Sequence, residues 1–256
     1  MKNQNKFNLQ VLIAAEETEF DLIAAKIVAE QLTQKPTSKF IFPTGSTPLG
    51  MYKHLVAFFE NKEIDFSQAQ VFNLDEYYPI KRDNPASYFH YMKENLIGKV
   101  NILPENWHIP NGGAPEPLVE AQQYEAEIKD SGSFDLAVLG IGPGTTCHIG
   151  FNEPPSALNT PVRYVTLNPQ TISANSVNFK QAREMPSGAL TMGIEDIFRA
   201  EKILLLAKGK AKAVGVDLTL AGAVKEEAPA SFLRLHPNVT FLLDPEAAEV
   251  WVKRQG

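Results

Sequence analysis

The segment Gly140–Pro154, which reads G-I-G-P-G-T-T-C-H-I-G-F-N-E-P, combines the residue types of an acid–base site. It opens with a glycine-rich loop and then presents His148 and, a few residues later, Glu153. A histidine titrates near neutral pH, and a nearby carboxylate can orient its ring and favour its charged form. A lone histidine is more often structural, but the carboxylate and the flanking glycines favour a proton-transfer role here.

A second polar cluster, Thr44-Gly45-Ser46-Thr47, lies between an apolar run and a helical pattern. Small residues let the backbone approach a ligand, and the free amides of a helix N-terminus favour an anion such as phosphate. A strand-to-helix turn with a capping Ser or Thr explains the same residues. The GxxxxGK[ST] pattern of a Walker loop is absent, so an anion site and a structural turn both stay open.

The third cluster is the pair Asp75-Glu76, directly after an apolar run. Such a pair usually caps a helix or is solvated in a loop. The functional alternative makes Asp75 a general base, because burial would raise its pKa and make the carboxylate a stronger base. A carboxylate suits proton abstraction next to a carbonyl group when it lies within hydrogen-bond reach of that proton.

Apolar runs that alternate with helical patterns must position these clusters. We predict strands at 11–15, 40–42, 70–74, 134–139, 164–167, 202–207 and 239–243. Helices are predicted at 20–32, from residue 49, at 85–96 with Asn84 as N-cap, at 116–129 and at 210–224. The alternation predicts an α/β fold, with one three-layer, Rossmann-like domain over 1–256 and a mainly parallel central sheet. Ligands gather at the carboxyl ends of strands in such a sheet, where the three clusters lie.

Composition excludes several function classes. The net charge is -6 and no Lys/Arg run occurs, so nucleic acid is not an expected partner. No segment approaches the roughly 18 apolar residues that span a bilayer, and Met1–Gln10 lacks the apolar core of a secretory signal. The single cysteine, Cys147, excludes an internal disulfide and fits a reducing cytoplasm. No CxxC, HExxH or clustered Cys/His occurs, so we expect no metal site.

Two further residue types need a weighed interpretation. Cys147 adjoins His148 in sequence, but a small buried thiol is the commoner case, so we do not expect it to be catalytic. Lys208, Lys210 and Lys212 follow the apolar run at 202–207. They are either solvated charges at a helix start or a source of one point charge for a phosphate group.

Several segments together resemble the family of glucosamine- and galactosamine-6-phosphate isomerases, whose members include glucosamine-6-phosphate deaminase. The similar segments occur in family order over nearly the whole chain: F-P-T-G-S-T-P-L-G-M-Y (Phe42–Tyr52), F-N-L-D-E-Y (Phe72–Tyr77), N-P-A-S-Y (Asn84–Tyr88), H-I-G-F-N-E-P (His148–Pro154), A-N-S (Ala174–Ser176), A-L-T-M-G (Ala189–Gly193) and L-H-P (Leu235–Pro237). The related 6-phosphogluconolactonases share the fold and the phosphate loop, but their usual segment after the histidine differs from F-N-E-P.

The resemblance implies a fold of the deaminase/ribose-5-phosphate isomerase/CoA-transferase type and a set of site residues. Asp75 matches the base that moves a proton between C2 and C1 of an opened sugar. His148 matches the residue that assists ring opening, and Glu153 matches the carboxylate that orients it. Thr44, Gly45, Ser46 and Thr47 match the phosphate loop, and Lys212 matches a phosphate-contacting lysine. The implied reaction needs no metal or organic cofactor.

The departures from the family pattern surround the same pocket. The family usually has G-x-G-x-[DN]-G-H before its histidine, whereas Pro143–Cys147 is longer by two residues and holds no carboxylate. The relay to His148 must then run through Glu153 alone or use a hydroxyl of Thr145 or Thr146. Val177 stands where an arginine commonly binds phosphate. Lys180, Arg183 and Arg163 are the candidate replacements.

The leading hypothesis is therefore a deaminating aldose–ketose isomerase that converts glucosamine 6-phosphate or galactosamine 6-phosphate into the ketose 6-phosphate and ammonia. The alternatives are a lactone hydrolase of the 6-phosphogluconolactonase type and a catalytically impaired sugar-phosphate-binding protein. In each case the expected partner is a small sugar phosphate, in the cytoplasm and away from membranes. A homo-oligomer stays open, because family members differ in oligomeric state.

Overall fold

Ten strands form two sheets in the computed structural model, which describes residues 8–179, 181 and 184–256. In chain order the strands are β1 (Asn8–Ile13), β2 (Lys39–Phe42), β3 (Gln70–Asn73), β4 (Asp75–Tyr78), β5 (Trp107–His108), β6 (Leu136–Gly140), β7 (Arg163–Thr166), β8 (Gly188–Thr191), β9 (Ile203–Ala207) and β10 (Asn238–Leu243). The larger sheet has the order β1-β10-β9-β6-β2-β3-β5, and all its pairs are parallel. The smaller sheet is antiparallel, in the order β4-β8-β7.

Helices cover both faces of the parallel sheet. The α-helices of the described residues are α1 (Glu17–Gln34), α2 (Leu49–Glu60), α3 (Tyr88–Asn95), α4 (Pro117–Ser131), α5 (Pro169–Asn175), α6 (Ile194–Ile197), α7 (Ala213–Ala221) and α8 (Pro245–Gln255). None of these helices is both long enough and apolar enough to cross a membrane.

The alternation of side chains along each strand builds one hydrophobic core on each face of the sheet. On β9, Ile203, Leu205 and Ala207 pack in the core with α4, α7 and α8. Leu204 and Leu206, which point the other way, pack in the core with α1, α2 and α3. Strands that are apolar on both faces belong in a sheet covered on both sides, so the predicted three-layer α/β fold is confirmed.

The small antiparallel sheet differs from the sequence prediction. The run at 164–167 forms β7 in this sheet, not a strand of the parallel sheet. Neither β4 nor β8 was predicted, because β8 is short and β4 begins with two acidic residues. Only Leu74 separates β3 from β4, so the chain leaves the parallel sheet and enters the small sheet at Asp75.

The predicted cap of α3 is wrong. The helix begins at Tyr88, and the Oγ of Ser87 accepts a hydrogen bond from the amide of His90 as its N-cap. Asn84 instead accepts a hydrogen bond from the amide of Ala86 through its Oδ1, at 2.9 Å, which closes a local turn. Asn and Ser favour both turns and caps, and the local pattern did not distinguish the two.

Candidate active site

One cavity of about 190 Å³ lies at the carboxyl edge of the parallel sheet. The residues that reach it follow β2, β3, β6 and β9, and these four strands are neighbours in the order β9-β6-β2-β3. Parallel neighbours end at the same edge, so residues distant in sequence meet there. Of the predicted site residues, all but Glu153 line this cavity: Thr44, Gly45, Ser46, Thr47, Asp75, His148 and Lys212.

Two wider surface grooves contain none of these residues. One, of about 620 Å³, lies beside the C-terminal ends of α1 and α2 and includes Leu32 and Phe59. The other, of about 760 Å³, includes Ile80 and Pro85. Neither groove brings together an anion loop, a buried carboxyl group and an imidazole, so chemistry rather than size identifies the smaller cavity as the site.

Two tyrosine hydroxyls donate hydrogen bonds to the backbone at the loop Thr44–Thr47. The hydroxyl of Tyr52 donates to the carbonyl oxygen of Pro43 at 2.5 Å, and the hydroxyl of Tyr91 donates to the carbonyl oxygen of Gly45 at 2.6 Å. Gly45 has a φ of 92°, which a side chain would strain. These two hydrogen bonds fix the backbone at Pro43 and Gly45 and so hold the loop in place ahead of α2.

Lys212 brings a positive charge to the cavity. Its Nζ donates to the carbonyl oxygen of Ile141 at 2.6 Å, and burial lowers its pKa to about 8. Lys208 is engaged elsewhere, in ion pairs with Glu17 at 3.0 Å and Asp21 at 3.2 Å. Lys210 is exposed. Of the three lysines singled out in the sequence, Lys212 is therefore the one that lines the cavity.

Asp75 is a buried carboxyl group with a raised pKa. Its exposure is 6%, and burial, with a smaller contribution from Glu76, raises its pKa to about 8. Gly150, two residues after His148, has a φ of 57°, and a Cβ built there would lie 3.4 Å from Oδ2 of Asp75, at an ordinary van der Waals distance. The loop that carries His148 is thus a neighbour of this carboxyl group.

Glu76 has a structural role. One of its carboxylate oxygens accepts from the amides of Tyr77 and Tyr88, and the other accepts from the amide of Phe89, at 2.8–2.9 Å. These bonds satisfy amides in the first turn of α3 and tie that helix to β4. The helix-cap interpretation of the acidic pair thus applies to Glu76, whereas Asp75 faces the cavity.

The ring of His148 is held between a glycine and a threonine. A Cβ on Gly142 would lie 2.2 Å from Cε1 of His148, so this close approach requires glycine. The Oγ1 of Thr146 lies 2.9 Å from Nδ1. Burial, together with the charge of Lys212, lowers the pKa of His148 to about 4. The lowered pKa therefore favours the neutral imidazole near pH 7 in the free protein.

Glu153 forms no hydrogen bond with His148, which corrects the expected orienting pair. Its carboxylate accepts a hydrogen bond from the hydroxyl of Thr171 and another, at 2.9 Å, from the amide of Asn168. The buried side chain of Asn152 donates to the carbonyls of Ile149 and Met192 and fixes the intervening turn. The carboxylate of Glu153, which follows this turn, thus bonds the residues at the N-terminus of α5.

The described residues show no arginine at the phosphate loop. Arg163 donates to Oδ1 of Asn152 at 2.8 Å and to Oγ of Ser156 at 3.2 Å, outside the cavity, so it is not the replacement. Val177, at the family arginine position, is 81% exposed. The other two candidates, Lys180 and Arg183, lie outside the described residues.

The cavity residues that were not predicted as site residues include three with bulky or polar side chains, Tyr88, Phe151 and Asn175. The hydroxyl of Tyr88 lies 3.1 Å from that of Tyr77. Tyr88 belongs to N-P-A-S-Y and Asn175 to A-N-S, so the motifs contained the signal. Their roles were not assigned because aromatic and amide side chains are common in both cores and sites.

Cys147 is buried and does not line the cavity. Burial raises the pKa of its thiol, which opposes a nucleophilic thiolate. Within residues 8–179, 181 and 184–256, no three His, Cys, Asp or Glu side chains are grouped to hold a metal ion.

A parallel sheet covered by helices on both faces, with a polar loop, a buried carboxyl group and an imidazole around one cavity, defines the class of Rossmann-like α/β proteins with a ligand site at the carboxyl edge of the sheet. Within that class, the family model described as glucosamine-6-phosphate isomerases/6-phosphogluconolactonase matches residues 15–242, and the chain belongs to this family. The family resemblance predicted from the sequence motifs is confirmed.

Relatives within the family are similar over almost their whole length. A glucosamine-6-phosphate deaminase of Thermoanaerobacter pseudethanolicus is 46% identical, covering 94% of this chain and 95% of its own. One of Clostridium novyi is 45% identical, covering 94% and 99%. A solved monomeric glucosamine-6-phosphate deaminase is 38% identical with a TM-score of 0.91, over 94% of this chain and 99% of its own. The 6-phosphogluconolactonase of Thermotoga maritima, at 21% identity and a TM-score of 0.73 over 93% and 100%, shares the fold.

Proposed function

We propose that the protein converts glucosamine 6-phosphate and water into fructose 6-phosphate and ammonia, as a deaminating aldose–ketose isomerase in one domain over 1–256. The observation that carries the proposal is the single cavity lined by the loop Thr44–Thr47, Asp75, His148 and Lys212. The names of the relatives that match over nearly their full length support the same activity.

Binding begins with the phosphate group. The amides and hydroxyls of Thr44–Thr47 supply donors, and Lys212 supplies the charge. This anchor lies away from the reacting carbons, so its binding energy can hold C1 and C2 in place for proton transfer.

Ring opening is assigned to His148. Because burial and Lys212 lower its pKa to about 4, the free imidazole is an unprotonated acceptor near neutral pH. It takes the proton of the anomeric hydroxyl while the C1–O5 bond breaks and C1 becomes a carbonyl carbon. The same nitrogen then returns the proton to O5.

Isomerisation is assigned to Asp75. The ionised form of its carboxyl group, which the raised pKa makes the minor form near pH 7, removes the proton at C2 while O1 gains a proton, and this gives an enolamine. The carboxyl group then delivers its proton to C1 as the amine nitrogen gives one up. The product is an imine at C2, which water attacks to release ammonia and leave the ketose. A raised pKa of about 8 makes this carboxylate a stronger base than an exposed one.

The remaining assignments belong to the same proposal. The reaction uses no metal or organic cofactor, and its partner is the phosphorylated sugar. Such a metabolite supports a cytoplasmic location. A homo-oligomer stays a prediction, and light scattering of the purified chain tests it. The related solved deaminase is described as monomeric.

The test is ammonia release from glucosamine 6-phosphate and galactosamine 6-phosphate, compared with hydrolysis of 6-phosphogluconolactone. The proposal expects ammonia and fructose 6-phosphate from the first substrate. Ammonia from galactosamine 6-phosphate alone would assign the other epimer. Turnover of the lactone alone would favour the hydrolase, and binding of both amino sugars without turnover would favour a binding protein.

A further inference from the structure

The hydroxyl of Thr146 is within hydrogen-bond distance of two groups, a carbonyl oxygen and a ring nitrogen of His148. Its Oγ1 lies 3.0 Å from the carbonyl oxygen of Pro143 and 2.9 Å from Nδ1 of His148. A carbonyl oxygen can only accept, and a threonine hydroxyl has one proton to give. When that proton goes to Pro143, the hydroxyl oxygen faces Nδ1 with a lone pair. Nδ1 must then carry the hydrogen of the neutral ring.

The surrounding backbone holds the ring in this position. Gly142 lies so close to the imidazole ring that a Cβ at this position would clash with it. The amide of Gly142 also donates a hydrogen bond to the carbonyl oxygen of His148 at 2.8 Å. The amide of Gly144 donates to the carbonyl oxygen of Ala211 at 3.0 Å, next to Lys212. The loop 142–148 is thus closed on itself and fastened to the segment that carries the cavity lysine.

No carboxylate of the described residues shares this role. Both oxygens of Glu153 are engaged with Asn168 and Thr171. The charged group that acts on the ring is Lys212, which disfavours an imidazolium. The hydroxyl of Thr146 is neutral, so it orients the ring without favouring its charged form.

We propose that Thr146, fixed by the carbonyl of Pro143, holds His148 as the Nδ1–H tautomer, with an unprotonated Nε2 available to the cavity. Thr146 is a positioning residue that acts through the imidazole. The tautomer is a property of the free protein. Its use in ring opening rests on the proposed function, because there Nε2 takes the proton of the anomeric hydroxyl and returns it to O5.

The direct test is the ring-nitrogen NMR spectrum of free protein labelled with ¹⁵N-histidine, with the His148 signals assigned by loss in His148→Gln. The proposal expects a protonated Nδ1 and an unprotonated Nε2 at pH 7. A protonated Nε2 in the wild-type protein would overturn it, whatever the enzyme assay gives. Failure of the proposed function would appear separately, as absence of ammonia release with this tautomer present.

Variants of the loop separate positioning from packing. Thr146→Val keeps the shape but removes the acceptor, so we expect a mixture of tautomers and a kcat about five- to tenfold lower with KM unchanged, as for loss of one hydrogen bond. Thr146→Ser should retain the tautomer and most of kcat. Thr145→Val is the matched control, because Thr145 is an exposed neighbour with the same hydroxyl.

Thr146→Val removes a hydrogen-bond acceptor from Nδ1 of His148, whereas a carboxylate at position 146 would place a negative charge beside it. In Thr146→Asp, the negative charge should raise the pH at which the His148 signals titrate by one unit or more. An unchanged tautomer in Thr146→Val and an unchanged titration in Thr146→Asp would together overturn the proposal, since both variants can be measured without turnover.

Discussion

Glu153 binds the hydroxyl of Thr171, not the imidazole of His148. A second bond, from the amide of Asn168, places the same carboxylate at the N-terminus of α5. This short helix carries Asn175, which lines the cavity. Glu153, the acidic residue of the F-N-E-P segment, therefore contacts the helix that contributes Asn175 to the cavity.

Glu153→Gln should loosen α5. We expect faster hydrogen exchange of the amides at 171–175 and a raised KM, with kcat reduced by about tenfold or less, since one or two hydrogen bonds are weakened. Thr171→Val removes the hydroxyl that donates to Glu153. The loss of kcat/KM in the double variant should therefore be smaller than the sum of the losses in the two single variants, expressed as free energies. A thousandfold loss of kcat with unchanged exchange would instead indicate a direct role in proton transfer.

Asp75→Asn should abolish C2 proton transfer. Loss of a general base typically costs about 10²–10⁴ in rate, and we expect that fall in kcat while fructose 6-phosphate still binds. Glu76→Gln is the contrasting variant, because Glu76 holds three backbone amides. It should lower the free energy of unfolding by about 1–3 kcal/mol and affect kcat less. Equal kcat losses in both would contradict the division of roles.

The same carboxyl group should make stability depend on pH. Its pKa is raised to about 8 in the folded protein, against about 3.9 when unfolded. The folded state therefore binds the additional proton, and this contribution to the free energy of unfolding is full below pH 4 and lost as pH rises through 8. Denaturant unfolding at pH 6 and 9 should show a smaller decline in Asp75→Asn than in the wild-type protein. Parallel declines would refute the assignment.

Lys212 should determine how the affinity for a sugar phosphate changes with pH under alkaline conditions. Burial lowers its pKa to about 8, so the free protein loses the positive charge as pH rises through that value. We expect the affinity for fructose 6-phosphate, which has no amine to titrate, to fall above pH 8. Lys212→Ala should weaken binding by about 10²-fold and remove this dependence, whereas Lys210→Ala should bind normally. A wild-type pH profile in Lys212→Ala would exclude this lysine.

The sequence was sufficient for six of the seven strands of the parallel sheet, because those strands have strong local signals, whereas the two-residue strand β5 (Trp107–His108) was not predicted. Ile203–Ala207 and Leu136–Gly140 are continuous apolar runs, and such runs indicate strands buried on both faces. Once the sheet is inferred, the convergence of Thr44, Asp75 and Lys212 at one edge follows from topology. Their catalytic and binding roles stay predictions.

The errors arose where tertiary contacts decide the local outcome. The start of α3 depends on Glu76, whose carboxylate reaches the amides of Tyr88 and Phe89 from a different element. The contact of Glu153 with Thr171 depends on the turn after Gly150, so proximity to His148 in sequence was misleading. The hydroxyl of Thr146 was one of three options for the relay, and the sequence offered no means to choose among them.

The most direct test of the whole account is ammonia release by the wild-type protein and by Asp75→Asn, with glucosamine 6-phosphate and with unphosphorylated glucosamine. The account predicts release from the phosphorylated sugar by the wild-type protein, at least about 10²-fold slower release by Asp75→Asn, and none from glucosamine. Equal rates for the two proteins would contradict it, as would equal rates for the two sugars.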